Sequence, residues 1–227
     1  MKAIVEGMTF PVTIPQGFRI TPEQFEQLAD VEQLVRLELT ARGELIVMSP
    51  TGGTAGRKNS RLTQKLRNWA DQNGQGEVFD SSTVFVLPSG ARRSPDVSWI
   101  ELEQWNQLTP AQQDGFPPLA PDFVIELVSP SDLKSQRYQD LQAKMTSDPA
   151  SPICGAVSFR TGARECARMQ EYLDNGVKLG WLIEPSAKTV AIYRSGKQVE
   201  ILNNPQSVSG EDILPGFTLD LTEIFTT

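Results

Sequence analysis

The run Phe123-Val124-Ile125-Glu126-Leu127-Val128 limits the architecture of this chain more than any other segment. Its residues are apolar at every position but one and mostly β-branched or aromatic. Such a run reads as a strand buried on both faces, which requires a sheet covered by other layers on either side. The exception, Glu126, lies where desolvating a carboxylate costs several kcal/mol unless a cation or a metal compensates it. Glu126 therefore needs a partner. A plain buried salt bridge, to Arg36 or Lys144, is one solution and a bound metal ion is another.

The rest of the pattern supplies the covering layers. Thr21-Pro22-Glu23-Gln24 combines a capping Thr, Pro at the first helical position and Gln at the third, so a short helix is expected through Leu28. Leu34 to Leu39 and Glu44 to Met48 flank Thr40-Ala41-Arg42-Gly43 and predict a β-hairpin. From Ala55 to Asn73, Leu62, Leu66 and Trp69 recur at helical spacing among Arg57, Lys58, Arg61, Lys65 and Arg67. This basic amphipathic helix is either a solvated face or a phosphate-contacting one.

Glu77 to Leu87 reads as one strand with an irregularity, Asp96 to Ile100 as another, and the Pro-rich stretch Thr109 to Pro121 as a loop. Ser129-Pro130-Ser131-Asp132 is expected to end the buried strand and cap a helix running to about Met145. Runs at 180–184, 189–193 and 197–202, closed by Gly216 to Leu219, predict a meander of strands. The fold class is α/β or α+β, one domain with a central mixed sheet flanked by helices. Trp99, Trp105 and Trp181 are read as core rather than as base-stacking platforms.

Composition narrows the chemistry. The chain has 227 residues, a net charge of −7 and no histidine. Any nucleic-acid contact must come from a local basic patch, and imidazole-based triads and zinc sites are excluded. Cys154 and Cys166 lack the partners a thiolate metal site needs. No apolar stretch reaches membrane-spanning or signal-peptide length, so a cytoplasmic protein without a membrane partner is expected. What remains is carboxylate, Lys and Arg chemistry. Glu38 lies between Leu37 and Leu39, and Asp96 follows Pro95 at the head of a strand. With Glu126 they form an oxygen-ligand set suited to a hard cation such as Mg²⁺, with Mn²⁺ as a substitute. A nearby lysine would complete a phosphodiesterase site.

These residues resemble the PD-(D/E)xK nuclease pattern: Asp96 after Pro95, then Glu126-Leu127-Val128, with Val128 where the lysine usually stands. More narrowly, the chain resembles the Uma-two family of restriction-endonuclease-like proteins. The likeness rests on Glu38-Leu39, Gly43-Glu44-Leu45, Met48-Ser49-Pro50, Pro95-Asp96-Val97, Glu126 to Asp132, Gln142-Ala143-Lys144, Tyr172 to Val177 and Gly180 to Ile183. It spans nearly the whole chain. The resemblance implies a Mg²⁺-dependent endodeoxyribonuclease of restriction-endonuclease fold acting on DNA, with a homodimer plausible for cutting both strands. It also implies Asp96 and Glu126 as metal ligands, Lys144 as the catalytic lysine supplied from the following helix, and Glu38 as an accessory acid. Arg57, Lys58, Arg61 and Lys65 are the candidate DNA contacts. The alternative is a catalytically inactive DNA-binding or protein-assembly module with the same fold.

One departure from the family pattern stands out. Lys-x-x-x-Tyr should lie on one helix, but Lys144-Met145 and Gln170-Glu171-Tyr172 are separated by residues 146–169. Removing that segment restores Lys-Met-Gln-Glu-Tyr, so it reads as an in-frame insertion. Two outcomes follow. In the first, the insertion bulges out as a surface loop and Lys144 keeps its place, in line with the tolerance of chains for longer loops. This is the expectation adopted. In the second, Gly162 to Met169 joins the downstream helix and Arg168 takes the lysine's register. Arginine stays protonated and cannot act as a base, so catalysis would be lost or weak.

Overall fold

The computed structural model describes residues 18–31, 36–48, 51–73, 75–128 and 163–226. The buried strand sits at the centre, as β7 (Phe123–Leu127), in a six-stranded sheet of order β10-β9-β8-β7-β6-β3. Its companions are β3 (Gly76–Asp80), β6 (Val97–Glu101), β8 (Leu179–Glu184), β9 (Thr189–Arg194) and β10 (Glu200–Asn203). The β7–β8 pair is parallel and the others are antiparallel, so the sheet is mixed.

Period-two alternation assigns the two faces of this sheet. Phe123, Ile125 and Leu127 join Trp181 and Ile183 in a core covered by α2 (Gly53–Asn73), which contributes Leu62, Leu66 and Trp69. The C-terminal hairpin β11–β12 (Ser207–Ser209, Thr218–Asp220) and α6 (Thr222–Phe225) complete that side through Leu219 and Ile224. Val124 and Val128 point the other way, into a second core with Met169 and Tyr172 of α5 (Ala163–Asp174). Glu126 shares their parity and faces α5. Gly180 lies opposite Val124 in the β7–β8 register, and a Cβ there would collide with the Met169 methyl, so the glycine seats α5 on the sheet.

A second sheet, of order β2-β1-β5-β4, stands beside the first. It comprises the hairpin β1 (Arg36–Leu39) and β2 (Leu45–Met48) with β4 (Phe85–Val86) and β5 (Arg92–Arg93). Gly43 takes a φ of 80° in the hairpin's turn, a conformation that favours glycine. The helix α1 (Pro22–Val31) packs Phe25 on Leu37 and Leu39. Its expected cap is present: Thr21 N donates to Gln24 Oε1 at 2.9 Å and Gln24 N to Thr21 Oγ1 at 3.3 Å.

Several expectations need correction. The single strand over Glu77 to Leu87 is two strands in different sheets, because a turn at Asp80, whose Oδ1 accepts from Ser82 N at 2.9 Å, redirects the chain. The Thr109 to Pro121 loop holds one turn of helix, α4 (Pro110–Asp114), with Thr109 and Gln112 capping each other, preceded by α3 (Leu102–Asn106). Of the surface loop expected over 146–169, residues 146–162 lie outside the described residues and residues 163–169 are not loop. They form the first turns of α5, where Cys166 and Met169 are buried at helical spacing with Tyr172. The helix expected from Asp132 to Met145, and Lys144 with it, lies outside the described residues.

Candidate active site at the junction of the two sheets

Asp96 and Glu126 meet because of strand register. The antiparallel β6–β7 ladder ends at Val97↔Ile125, and one step further sets Asp96 beside Glu126. The contact is fixed by the Leu127 backbone N–H, which donates to Asp96 Oδ2 at 2.9 Å. Asn59, on α2, donates from Nδ2 to Asp96 Oδ1 at 2.9 Å, and Arg36 lies 3.8 Å from the same oxygen. Ser94 and Pro95 link β5 to Asp96, so β5 of the second sheet delivers Arg93 to the same place.

Glu38, fully buried on β1, accepts from Arg93 Nη1 at 3.0 Å, Ser94 N at 3.1 Å and Arg168 Nη2 at 2.9 Å. Arg93 is held from its other side by Glu171. Arg168 Nη1 also reaches Glu126, at 3.4 Å and 3.3 Å from the two oxygens. Those contacts are long beside the usual charge-assisted separation of about 2.7–2.9 Å. The stronger hold on Glu126 is Tyr172, whose hydroxyl donates at 2.8 Å. Arg168 thus belongs chiefly to Glu38 and only loosely to Glu126.

The electrostatics follow that division. Burial raises the Glu38 pKa, but Arg168, Arg93 and the Ser94 N–H outweigh it and hold the carboxyl below its ordinary value. For Glu126 burial dominates; Arg168 and Tyr172 oppose it, Asp96 and Glu38 add repulsion, and its pKa is pushed up to about 7. Asp96 is also raised, by burial, against the Leu127 N–H, Arg36, Arg168 and Asn59. At the Asp96–Glu126 edge burial outweighs the attraction of Arg36 and Arg168.

A carboxyl whose folded pKa lies above its unfolded value contributes stability that is complete below about 4.5 and lost as pH climbs through about 7. Glu126→Gln keeps a neutral hydrogen-bonding group there. Between pH 5 and pH 8.5, without divalent ions, the wild type should lose on the order of 2 kcal/mol of stability relative to the Gln variant. Parallel pH profiles from denaturant titrations would contradict the placement of Glu126.

Residue types at this edge suit a hard cation. Among the described residues no three His, Cys, Asp or Glu side chains converge to hold a metal by themselves. Mg²⁺, however, is commonly held by one or two carboxylates, with water and substrate phosphate completing its shell. Asp96 and Glu126 match that requirement, and beside them Asn59 Oδ1 is a buried oxygen with no hydrogen-bond partner among the described residues. The donor set fits the group.

The structure therefore gathers Glu38, Asp96 and Glu126 at one site, and among the described residues the cation that spans Glu38 and Glu126 is Arg168, one turn before Tyr172. This is the arrangement of the second insertion outcome. Lys178, just beyond α5, pairs with Asp122 and Glu101. Of the proposed DNA contacts, Arg57 is exposed, but Lys58 is only 7% exposed, and burial with neighbouring Arg57 lowers its pKa. Arg61 and Lys65 lie 3.8 Å and 3.7 Å from Glu223 of α6. Asn59, Arg93 and the role of Tyr172 were not foreseen from sequence. Asn59 was hidden among cations on a helix read for charge, and Arg92-Arg93 is too short a strand to show a period.

Comparisons with known proteins agree with this architecture. A family model, Uma2, described as "Putative restriction endonuclease", matches residues 22–222. No curated protein matches the chain. Among solved structures, it is similar to a protein from Anabaena variabilis ATCC 29413 described as a putative nuclease belonging to DUF820. The TM-score is 0.58 at 20% identity, covering 83% of this chain and 89% of that one. No helix among the described residues is long and apolar enough to cross a membrane.

Proposed function

The chain belongs to the Uma2 family, and on that footing we propose that it is a divalent-cation-dependent endodeoxyribonuclease. It would use Mg²⁺, or Mn²⁺ in its place, and hydrolyse DNA phosphodiester bonds slowly. The observation that carries the reading is the pairing of Asp96 with Glu126 at adjoining strand ends, buried and flanked by the Arg168 guanidinium. The family description and the name of the Anabaena protein point the same way.

Asp96 and Glu126 would hold the ion, which when bound neutralises the phosphate and acidifies water. The Leu127 N–H and Asn59 orient Asp96, and Tyr172 orients Glu126. Glu38 anchors Arg168 so that its guanidinium faces the site. That guanidinium can stabilise charge developing on phosphate oxygens, but it holds its protons and cannot accept one from water. Slow turnover follows from this difference. Arg57, Arg61 and Lys65, spaced four residues apart on α2 to either side of Asn59, offer a track for the DNA backbone. A homodimer would suit double-strand cleavage, and a DNA substrate implies a cytoplasmic location.

Incubation of plasmid DNA with the protein in Mg²⁺, Mn²⁺ or chelator tests the proposal. We expect slow, cation-dependent nicking that falls at least tenfold in Asp96→Asn. Equal products from Asp96→Asn, or none from the wild type in either metal, would overturn it. The second result, with salt-sensitive DNA binding, would favour the inactive DNA-binding module, for which the permanent charge of Arg168 against both glutamates is the supporting observation.

A further inference from the structure

Asn59 stands apart from its neighbours on α2. Its Nδ2 donates to Asp96 Oδ1, while its Oδ1 is buried without a hydrogen-bond partner among the described residues. Leaving a buried acceptor unpaired costs about 1–3 kcal/mol. The amide accepts that cost because Asp96 is a carboxylate: the opposite orientation would set two oxygens against each other 2.9 Å apart. The orientation is thus dictated by the charge on Asp96 and lasts only while no divalent ion sits between the two side chains.

We propose that Asn59 is a third protein ligand of the divalent-ion site, turning its amide over when the ion binds so that Oδ1 joins Asp96 in coordination. This rests on the functional reading above and extends it. Rotation about the terminal bond exchanges N and O with little movement of other atoms, and it puts an oxygen where Nδ2 now lies, 2.9 Å from Asp96 Oδ1. Adjacent ligands on an octahedral ion with bonds of about 2.0–2.1 Å are about 3 Å apart. The spacing already present is therefore that of two neighbouring ligands. The same turn gives the unpaired oxygen the ion as its partner and carries Nδ2 into the place Oδ1 now holds. It also couples α2, the helix bearing the exposed cations, to the state of the site.

Mn²⁺ binding to the isolated protein, followed by calorimetry without DNA, tests this independently of cleavage. Asn59→Ala should weaken Mn²⁺ binding about tenfold, the lower end of what loss of a supporting group costs at metal sites. Asp96→Asn should weaken it further. Asn59→Asp supplies an oxygen but sets two carboxylates together, so Mn²⁺ should raise its melting temperature more than that of the wild type. Wild-type affinity in Asn59→Ala, with Asp96→Asn still impaired, would overturn the role of Asn59 alone. Equal melting shifts for Asn59→Asp and wild type would likewise count against it. Failure of the wild type to bind Mn²⁺ would overturn both the ligand and the functional reading it rests on.

Discussion

Replacing Glu38 by Ala should destabilise the protein by about 3–5 kcal/mol, the usual cost of breaking a buried ion pair by removing one partner. Glu38 is fully buried and receives three donors, two of them guanidinium groups. Without it, Arg93 keeps Glu171 and Arg168 keeps only its long contacts to Glu126, while the Ser94 N–H loses its acceptor. For a domain of this size the loss corresponds to roughly 10 °C in melting temperature. Glu38→Gln, which still accepts the Ser94 hydrogen bond, should cost less. A guanidinium chloride midpoint for Glu38→Ala equivalent to under 1 kcal/mol would mean that the two arginines are compensated elsewhere. Because Glu38 is held below its ordinary pKa, its contribution is present above the usual carboxylate range and disappears as pH falls through its folded value. It therefore opposes Glu126 in pH dependence, and stability should be lost on both sides of a middle range.

Cleavage should rise on the order of a hundredfold in Arg168→Lys. Positioned general acid–base groups contribute about 10²–10⁴ in rate, and lysine, unlike arginine, can give up its proton when partly buried. An ammonium at 168 can reach Glu38 or Glu126 but cannot span both as the guanidinium does. Some stability should therefore be lost while activity is gained. The new activity should increase with pH as the ammonium deprotonates, a dependence the wild type lacks at that residue. Arg168→Gln separates the contributions: it removes charge and base together and should fall below the wild type. If Arg168→Lys is no faster than Arg168→Gln, residue 168 is not in the lysine's place.

Much of this site could be seen before any coordinates, because a charge inside an apolar run has few explanations. The lone charge in Phe123 to Val128 marks Glu126 and Pro95 marks the strand entry at Asp96, while the face of Glu126 and its place beside Asp96 come from the sheet register. Partner choice was harder to read. Arg36 was a candidate for Glu126 and instead lies near Asp96, a difference of one sheet position that only register decides. The insertion was visible as a broken Lys-x-x-x-Tyr spacing. Its last residues carry a helical signal, Cys166, Met169 and Tyr172 at helical spacing, which the tolerance of chains for longer loops does not address. The basic face of α2 was recognised as basic, but composition could not reveal that Glu223, more than 150 residues away, would sit against it.

The notch at Gly180 has a consequence for how such a chain can change. Met169 occupies it, and Arg168 reaches the carboxylates as the residue just before. What the notch selects is a methionine followed by Gln-Glu-Tyr, and the sequence holds a second candidate, Lys144-Met145, directly ahead of the extra segment. Excising residues 146–169 should offer that pair the same berth, with an ammonium in place of a guanidinium, and a comparison of plasmid nicking by the shortened and full chains would measure the exchange.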